Sequence, residues 1–71
     1  MGSTSEERAN EGAWQAIKLR REIIEERGES VVTDRLVFLS AKFFLAGRRR
    51  TAASLEYYER ELETIREEMT Q

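Results

Sequence analysis

Four basic side chains near the middle of the chain form a cluster that could bind an anion. Arg48, Arg49 and Arg50 are consecutive, and Lys42 precedes them by six positions. Guanidinium and ammonium groups bind phosphate and carboxylate oxygens through charge-assisted hydrogen bonds. The sequence leaves three interpretations of this cluster open: a solvated loop after a helix, a contact with carboxylates of a partner chain, or a contact with a nucleic-acid phosphate.

The overall charge weighs against a general nucleic-acid binder. Twelve Lys and Arg residues against fourteen Asp and Glu residues give a net charge of −2, whereas nucleic-acid-binding domains are strongly basic. The segment after the arginines would make a poor recognition helix, because phosphates repel its carboxylates, Glu56, Glu59, Glu61 and Glu63. A small nucleic-acid-associated regulator that uses the Arg48 to Arg50 loop is the alternative function.

Catalytic and metal chemistry have few candidate residues. The chain contains no His and no Cys, so the commonest general base and the usual transition-metal ligands are missing. Glu22 and Glu26, like Glu59 and Glu63, share a helix face at i, i+4 spacing, but carboxylate-bridged metal sites usually add a His. We expect solvated carboxylates, no metal, no cofactor and no catalytic residue, and hence a protein that is not an enzyme.

The run LVFLSAKFFLA at residues 36–46 is apolar nearly all round when it is drawn as a helix. At about 100° per residue, one stripe consists of Leu36, Leu39, Phe43 and Ala46. The opposite side carries Val37, Phe38, Ala41, Phe44 and Leu45. Such a helix must be surrounded, and a chain of 71 residues has little material to surround it and is marginally stable as a monomer.

We therefore expect the two sides of this helix to have different partners. The stripe with Leu36, Leu39 and Phe43 should pack on the other helices of the same chain. The opposite side should meet a second copy, in a homodimer or a larger assembly, or else another protein. Aromatic side chains are enriched at interfaces, and the predicted interface residues are Trp14, Val37, Phe38, Ala41, Phe44 and Tyr57.

Two glycines divide the chain into three predicted helices. Gly28 follows Arg27, a favourable cation at a helix C terminus, and Gly47 follows the apolar run. Thr33 or Ser30 is the candidate N-cap of the second helix, and Val31 and Val32 are interpreted as a connector, because no partner strand is evident. The predicted helices cover residues 5–27, 33–46 and 51–70.

The first and last predicted helices each carry one apolar face for a common core. In the first helix this face consists of Ala9, Ala13, Ala16, Ile17, Ile23 and Ile24. Arg20 falls within it, and its head group should either reach water or pair with a glutamate. In the last helix a seam with heptad spacing consists of Leu55, Tyr58, Leu62, Ile65 and Met69.

The predicted fold class is all-α: one domain over residues 1–71, with a short apolar helix between two long ones, in a homo-oligomeric helical bundle. The apolar run of eleven residues is too short to span a bilayer, which takes about 20. The first residues lack a signal-peptide pattern, so we expect a cytoplasmic protein. The expected function is a non-enzymatic oligomerisation or protein–protein interaction module with coiled-coil-like packing.

Overall fold

The computed structural model describes residues 5–49 and 52–70, which form three α-helices. These are α1 (Ser5–Arg27), α2 (Val31–Arg49) and α3 (Ala52–Met69). No strand occurs within the two described ranges, and the predicted all-α fold with three helices is confirmed. Arg50 and Thr51 lie outside the described residues, as does the predicted start of the last helix.

The central helix is longer at its N-terminal end than the sequence predicted. The Thr33 side chain caps it: the Ser30 N–H donates to Thr33 Oγ1 at 2.8 Å, and this hydroxyl donates to the Ser30 carbonyl oxygen, also at 2.8 Å. Asp34 N–H donates to the same carbonyl at 3.1 Å, which closes the first turn. Because these bonds make Ser30 the N-cap and α2 begins at Val31, Val31 and Val32 are helical, and their interpretation as a connector was wrong.

The C-terminal end of α2 also extends past its predicted end. Gly47 is buried inside the helix, and a Cβ built on it would lie 2.6 Å from the Ala9 Cβ. The glycine therefore permits close approach of α1 and α2 and does not end α2, which continues to Arg49. The helices contain 23, 19 and 18 residues, so the central one is not the short one.

Gly28, in contrast, ends α1 as predicted. Its φ of +83° is in the left-handed region, which glycine adopts at little cost. Its N–H donates to the Ile24 carbonyl oxygen at 2.9 Å. This αL conformation turns the chain from α1 into the cap of α2.

The core forms where one face of each helix meets the other two. Its buried hydrophobic residues are Ala9, Ala13, Ala16, Ile23, Leu36, Leu39, Phe43, Ala46, Leu55, Leu62 and Ile65. Most of the predicted inward stripes are therefore confirmed as core. The partly buried residues that pack against this core include Tyr58 and Met69, which complete the predicted seam of α3.

Small residues of α1 determine how the core is packed. Ala9, Gly12, Ala13 and Ala16 are all buried. A Cβ at Gly12 would overlap the ring of Phe43, and the same ring meets Tyr58 edge-on with centroids 5.8 Å apart. Phe43 thus fills the space between a glycine of α1 and an aromatic ring of α3.

Polar contacts along the edges join α1 to α3. Arg8 Nη2 donates to Glu59 Oε1 at 2.7 Å, and Arg66 Nη2 donates to Gln15 Oε1 at 3.2 Å. Arg20 is half-buried, and its Nε has no hydrogen-bond partner in the described ranges. No ion pair to a glutamate is seen for Arg20 within these ranges.

Candidate interaction surface

The side of α2 that faces away from α1 and α3 carries large apolar side chains. Their exposed fractions are 44% for Val37, 67% for Phe38, 41% for Phe44 and 51% for Leu45. Ala41, at the centre of the group, is also exposed. These five residues are called the outer stripe below.

The outer stripe results directly from the helical period. Residues 37, 38, 41, 44 and 45 are spaced at i, i+1, i+4, i+7 and i+8, which places them on one side of a helix. The buried residues Leu36, Leu39 and Phe43 occupy the opposite side. The two sides predicted from the sequence are therefore the two sides in the structure, one buried in the chain and one exposed.

The outer stripe reaches the grooves on both flanks of α2. Phe44 and Leu45 line a groove with Glu6 and Asn10 of α1. On the other flank, Phe38 lines a groove with Glu61 of α3. The outer stripe therefore extends from the groove beside α1 to the groove beside α3, and both grooves contain polar or charged groups.

Two charged residues of opposite sign mark the ends of the outer stripe. Asp34 lies in the first turn of α2 and Arg48 in its last turn, and both side chains are exposed. Each charge is favourable at its own end of the helix dipole. The ion pairs seen within residues 5–49 and 52–70 are Arg8–Glu59 and Arg66–Glu63, and neither involves Asp34 or Arg48.

The structure does not bring Trp14 and Tyr57 into the outer stripe. Trp14 is 64% exposed and lines a groove with Lys18, Glu22 and Arg66, which no α2 residue lines. Tyr57 is 60% exposed and meets the ring of Tyr58 edge-on, with centroids 5.8 Å apart. Their predicted role in an interface stays a prediction. Leu45, which was predicted on this side of the helix but not named among the interface residues, belongs to the stripe because it lies four residues after Ala41.

The basic cluster is partly helical. Arg48 and Arg49 occupy the last turn of α2, where the helix dipole favours cations, while Arg50 lies outside the described residues. Lys42 lines the groove that contains Glu61, and Arg48 lines the groove that contains Glu6. The cations thus share their surroundings with carboxylates, and the predicted anion or nucleic-acid contact stays a prediction.

At the edge where α1 meets α3, an ion pair changes the pKa of its arginine. A hydrogen bond to Glu59 and the charge of that carboxylate raise the pKa of Arg8. Both side chains are about two-fifths exposed, so the pair is a solvated surface contact. In the described part of the chain, no group of three or more acidic, His or Cys side chains could hold a metal ion.

The same ranges contain no helix long and apolar enough to cross a bilayer. Comparison of the chain with protein-family models, with curated proteins and with solved structures finds no match. The feature of this chain that indicates a function is therefore the outer stripe of α2.

Proposed function

We propose that this protein is a non-enzymatic helical module that associates with itself through the outer stripe of α2. The observation that carries the proposal is the exposure of Val37, Phe38, Phe44 and Leu45 on one side of a helix. Four large apolar side chains in a continuous exposed patch are typical of an interaction site. Burying them in an interface removes apolar surface from water, which favours association by about 25 cal/mol per Å².

A second copy of the chain is the simplest occupant of this surface. A two-fold homodimer covers the same patch on both copies at once, so the outer stripe of neither copy stays exposed. It also adds buried surface to a chain that is short for a stable monomer. The chain contains no Cys, so disulfides do not contribute stability here.

The test is a matched pair of aspartate substitutions followed by measurement of the dissociation constant in sedimentation equilibrium. Phe38→Asp places a charge in the outer stripe and should raise the dissociation constant at least about tenfold, because the carboxylate loses water on association. Tyr57→Asp, on α3 and equally exposed, should leave it within about threefold. Far-UV circular dichroism should show that both variants keep the helical content of the native chain.

The proposal fails if the native chain is monomeric at every concentration. It also fails if Phe38→Asp associates as strongly as the native chain. If Tyr57→Asp and a Trp14→Asp variant weaken association as much as Phe38→Asp does, the interface lies elsewhere or extends around the whole bundle.

A further inference from the structure

The outer stripe and the charges at its ends are arranged symmetrically about Ala41. Phe38 and Phe44 lie three positions before and after it, and Val37 and Leu45 lie four positions before and after it. Seven positions before Ala41 is Asp34, and seven after it is Arg48. Each of these three residues before Ala41 is thus matched by one of similar or complementary chemistry after it.

These seven residues also share one side of α2. At about 100° per residue they fall within an arc of about 120° centred on Ala41. Phe38 and Phe44 form the two edges of the arc, and Val37 and Leu45 lie inside them. Asp34 and Arg48 lie closest to the line that runs through Ala41 parallel to the helix axis, and they are at opposite ends of the helix. All seven are exposed in the single chain.

We propose that two copies of the chain pair α2 against α2 in antiparallel orientation, with the two-fold axis passing between the Ala41 residues of the two copies. This inference rests on the proposed self-association and specifies its geometry. A two-fold axis perpendicular to both helices makes each residue level, along the helix axis, with the residue of the second copy that is equally far on the other side of Ala41. Phe38 is then level with Phe44 of the second copy, and Val37 with Leu45. Because this axis keeps each residue on its own flank of the interface, Phe38 packs beside Leu45 of the second copy, and Phe44 beside Val37.

The same axis places Asp34 of each copy opposite Arg48 of the other. Both ends of the interface then carry an ion pair between side chains that have no ion-pair partner within the described ranges. A parallel dimer would instead place Asp34 against Asp34 and Arg48 against Arg48, which is repulsive. The charges therefore favour the antiparallel orientation over the parallel one.

Two further features agree with this orientation. Ala41 has the smallest side chain of the stripe and sits at the crossing point, where it lets two helices approach within the usual 8–10 Å or so between axes. Antiparallel packing also places the positive N-terminal end of one α2 beside the negative C-terminal end of the other, so that the two helix dipoles attract.

Charge reversal tests the pairing of Asp34 with Arg48. Arg48→Asp should raise the dissociation constant of the dimer about tenfold, because it replaces two attractive contacts by two repulsive ones. Arg49→Asp is the matched control, because it makes the same change of charge in the same helical turn but lies outside the arc. It should change the dissociation constant by less than about threefold. The double variant Asp34→Arg/Arg48→Asp should recover most of the affinity, because both pairs are restored with opposite sign.

Cysteine crosslinking tests the orientation itself. Because the chain contains no Cys, Val37→Cys and Leu45→Cys each introduce a single thiol. An equal mixture of the two variants, oxidised under mild conditions, should give mainly the mixed disulfide, which mass spectrometry distinguishes from the two like-with-like disulfides. Glu63→Cys on α3 serves as the control for random collision and should crosslink slowly.

The outcomes separate the orientation from self-association. If like-with-like disulfides dominate while the native chain still dimerises, the antiparallel orientation is wrong and the proposed function stands. If Arg48→Asp and Arg49→Asp weaken the dimer equally, the Asp34–Arg48 pairing is wrong. A native chain that never dimerises overturns both proposals together.

Discussion

The two sides of α2 are similarly apolar but have different surroundings in the single chain. The inner side carries Leu36, Leu39 and Phe43, which are buried against α1 and α3. The outer stripe carries side chains of the same types, and they are exposed. The difference comes from the opposing surfaces: α1 offers buried small residues such as Gly12, into which the Phe43 ring fits. Apolar character thus determines that a side chain should be covered, and the shape of the opposing surface determines what covers it.

The largest expected effect comes from removing the ring at the centre of the inner side. Phe43→Ala should lower the free energy of unfolding by about 3–5 kcal/mol, because it removes the contacts with Gly12 and Tyr58 and leaves a cavity. Phe44→Ala, one position along the chain, should lower it by less than about 1 kcal/mol in the monomer and should instead weaken association. Urea unfolding at low protein concentration measures the first effect, and equal losses in the two variants would contradict the assignment of the two sides.

A smaller effect is expected from filling the space that Gly12 leaves for Phe43. Gly12→Ala should destabilise the fold by about 1–3 kcal/mol, although alanine is the better helix former by about 1 kcal/mol. Thermal unfolding measures the change. The double variant Gly12→Ala/Phe43→Leu should be less destabilised than the two single changes combined, because the smaller side chain makes room for the methyl group. A Gly12→Ala variant more stable than the native chain would show that the ring is not confined there.

Periodicity was sufficient to predict the helices and most of the core. The spacing of Leu55, Leu62 and Ile65 predicted the buried face of α3, and the conformational freedom of glycine predicted the end of α1 at Gly28. In both places a local property of the sequence determines the structure, since helical period and positive φ do not depend on distant residues.

The ends of α2 and the role of its glycine could not be predicted in the same way. Gly28 and Gly47 are the same residue type, yet one ends a helix and the other lies inside one. What distinguishes Gly47 is Ala9, which is 38 positions earlier in the chain and packs on it. The N-terminal extension had a local signal, because Ser30 and Thr33 have capping-box spacing, with Thr in the place of the usual Glu or Gln.

The sequence predicted which side of α2 is exposed. It did not predict which of the aromatic interface candidates belong to that side. Val37, Phe38, Ala41 and Phe44 lie together as their helical spacing requires. Placing Trp14 and Tyr57 requires knowing how α1 and α3 rotate about their own axes, and this is determined by packing. Trp14 lies on α1 and Tyr57 on α3, so neither is part of the outer stripe of α2.

The smallest expected effect comes from the Arg8–Glu59 contact, which joins α1 to α3. Because the carboxylate raises the pKa of Arg8, the stabilisation is complete below the ordinary Arg pKa and is lost only as the pH rises through the raised value. The Arg8 contribution should therefore be constant across the neutral range. Arg8→Gln should lower the melting temperature by less than Gly12→Ala does. The difference in melting temperature between Arg8→Gln and the native chain should shrink at high salt. A difference that does not respond to salt would contradict a solvated ion pair.

The central claim is that the outer stripe of α2 is covered by a second copy of the chain. The most direct test is the molar mass of the native protein by light scattering on a sizing column, across a dilution series. Two single helices bury an area at or below the low end of specific interfaces, about 1,200 Å², so we expect a dimer that dissociates on dilution. The mass should fall from twice 8.3 kDa towards 8.3 kDa. A folded chain with the monomer mass at every concentration would contradict the claim.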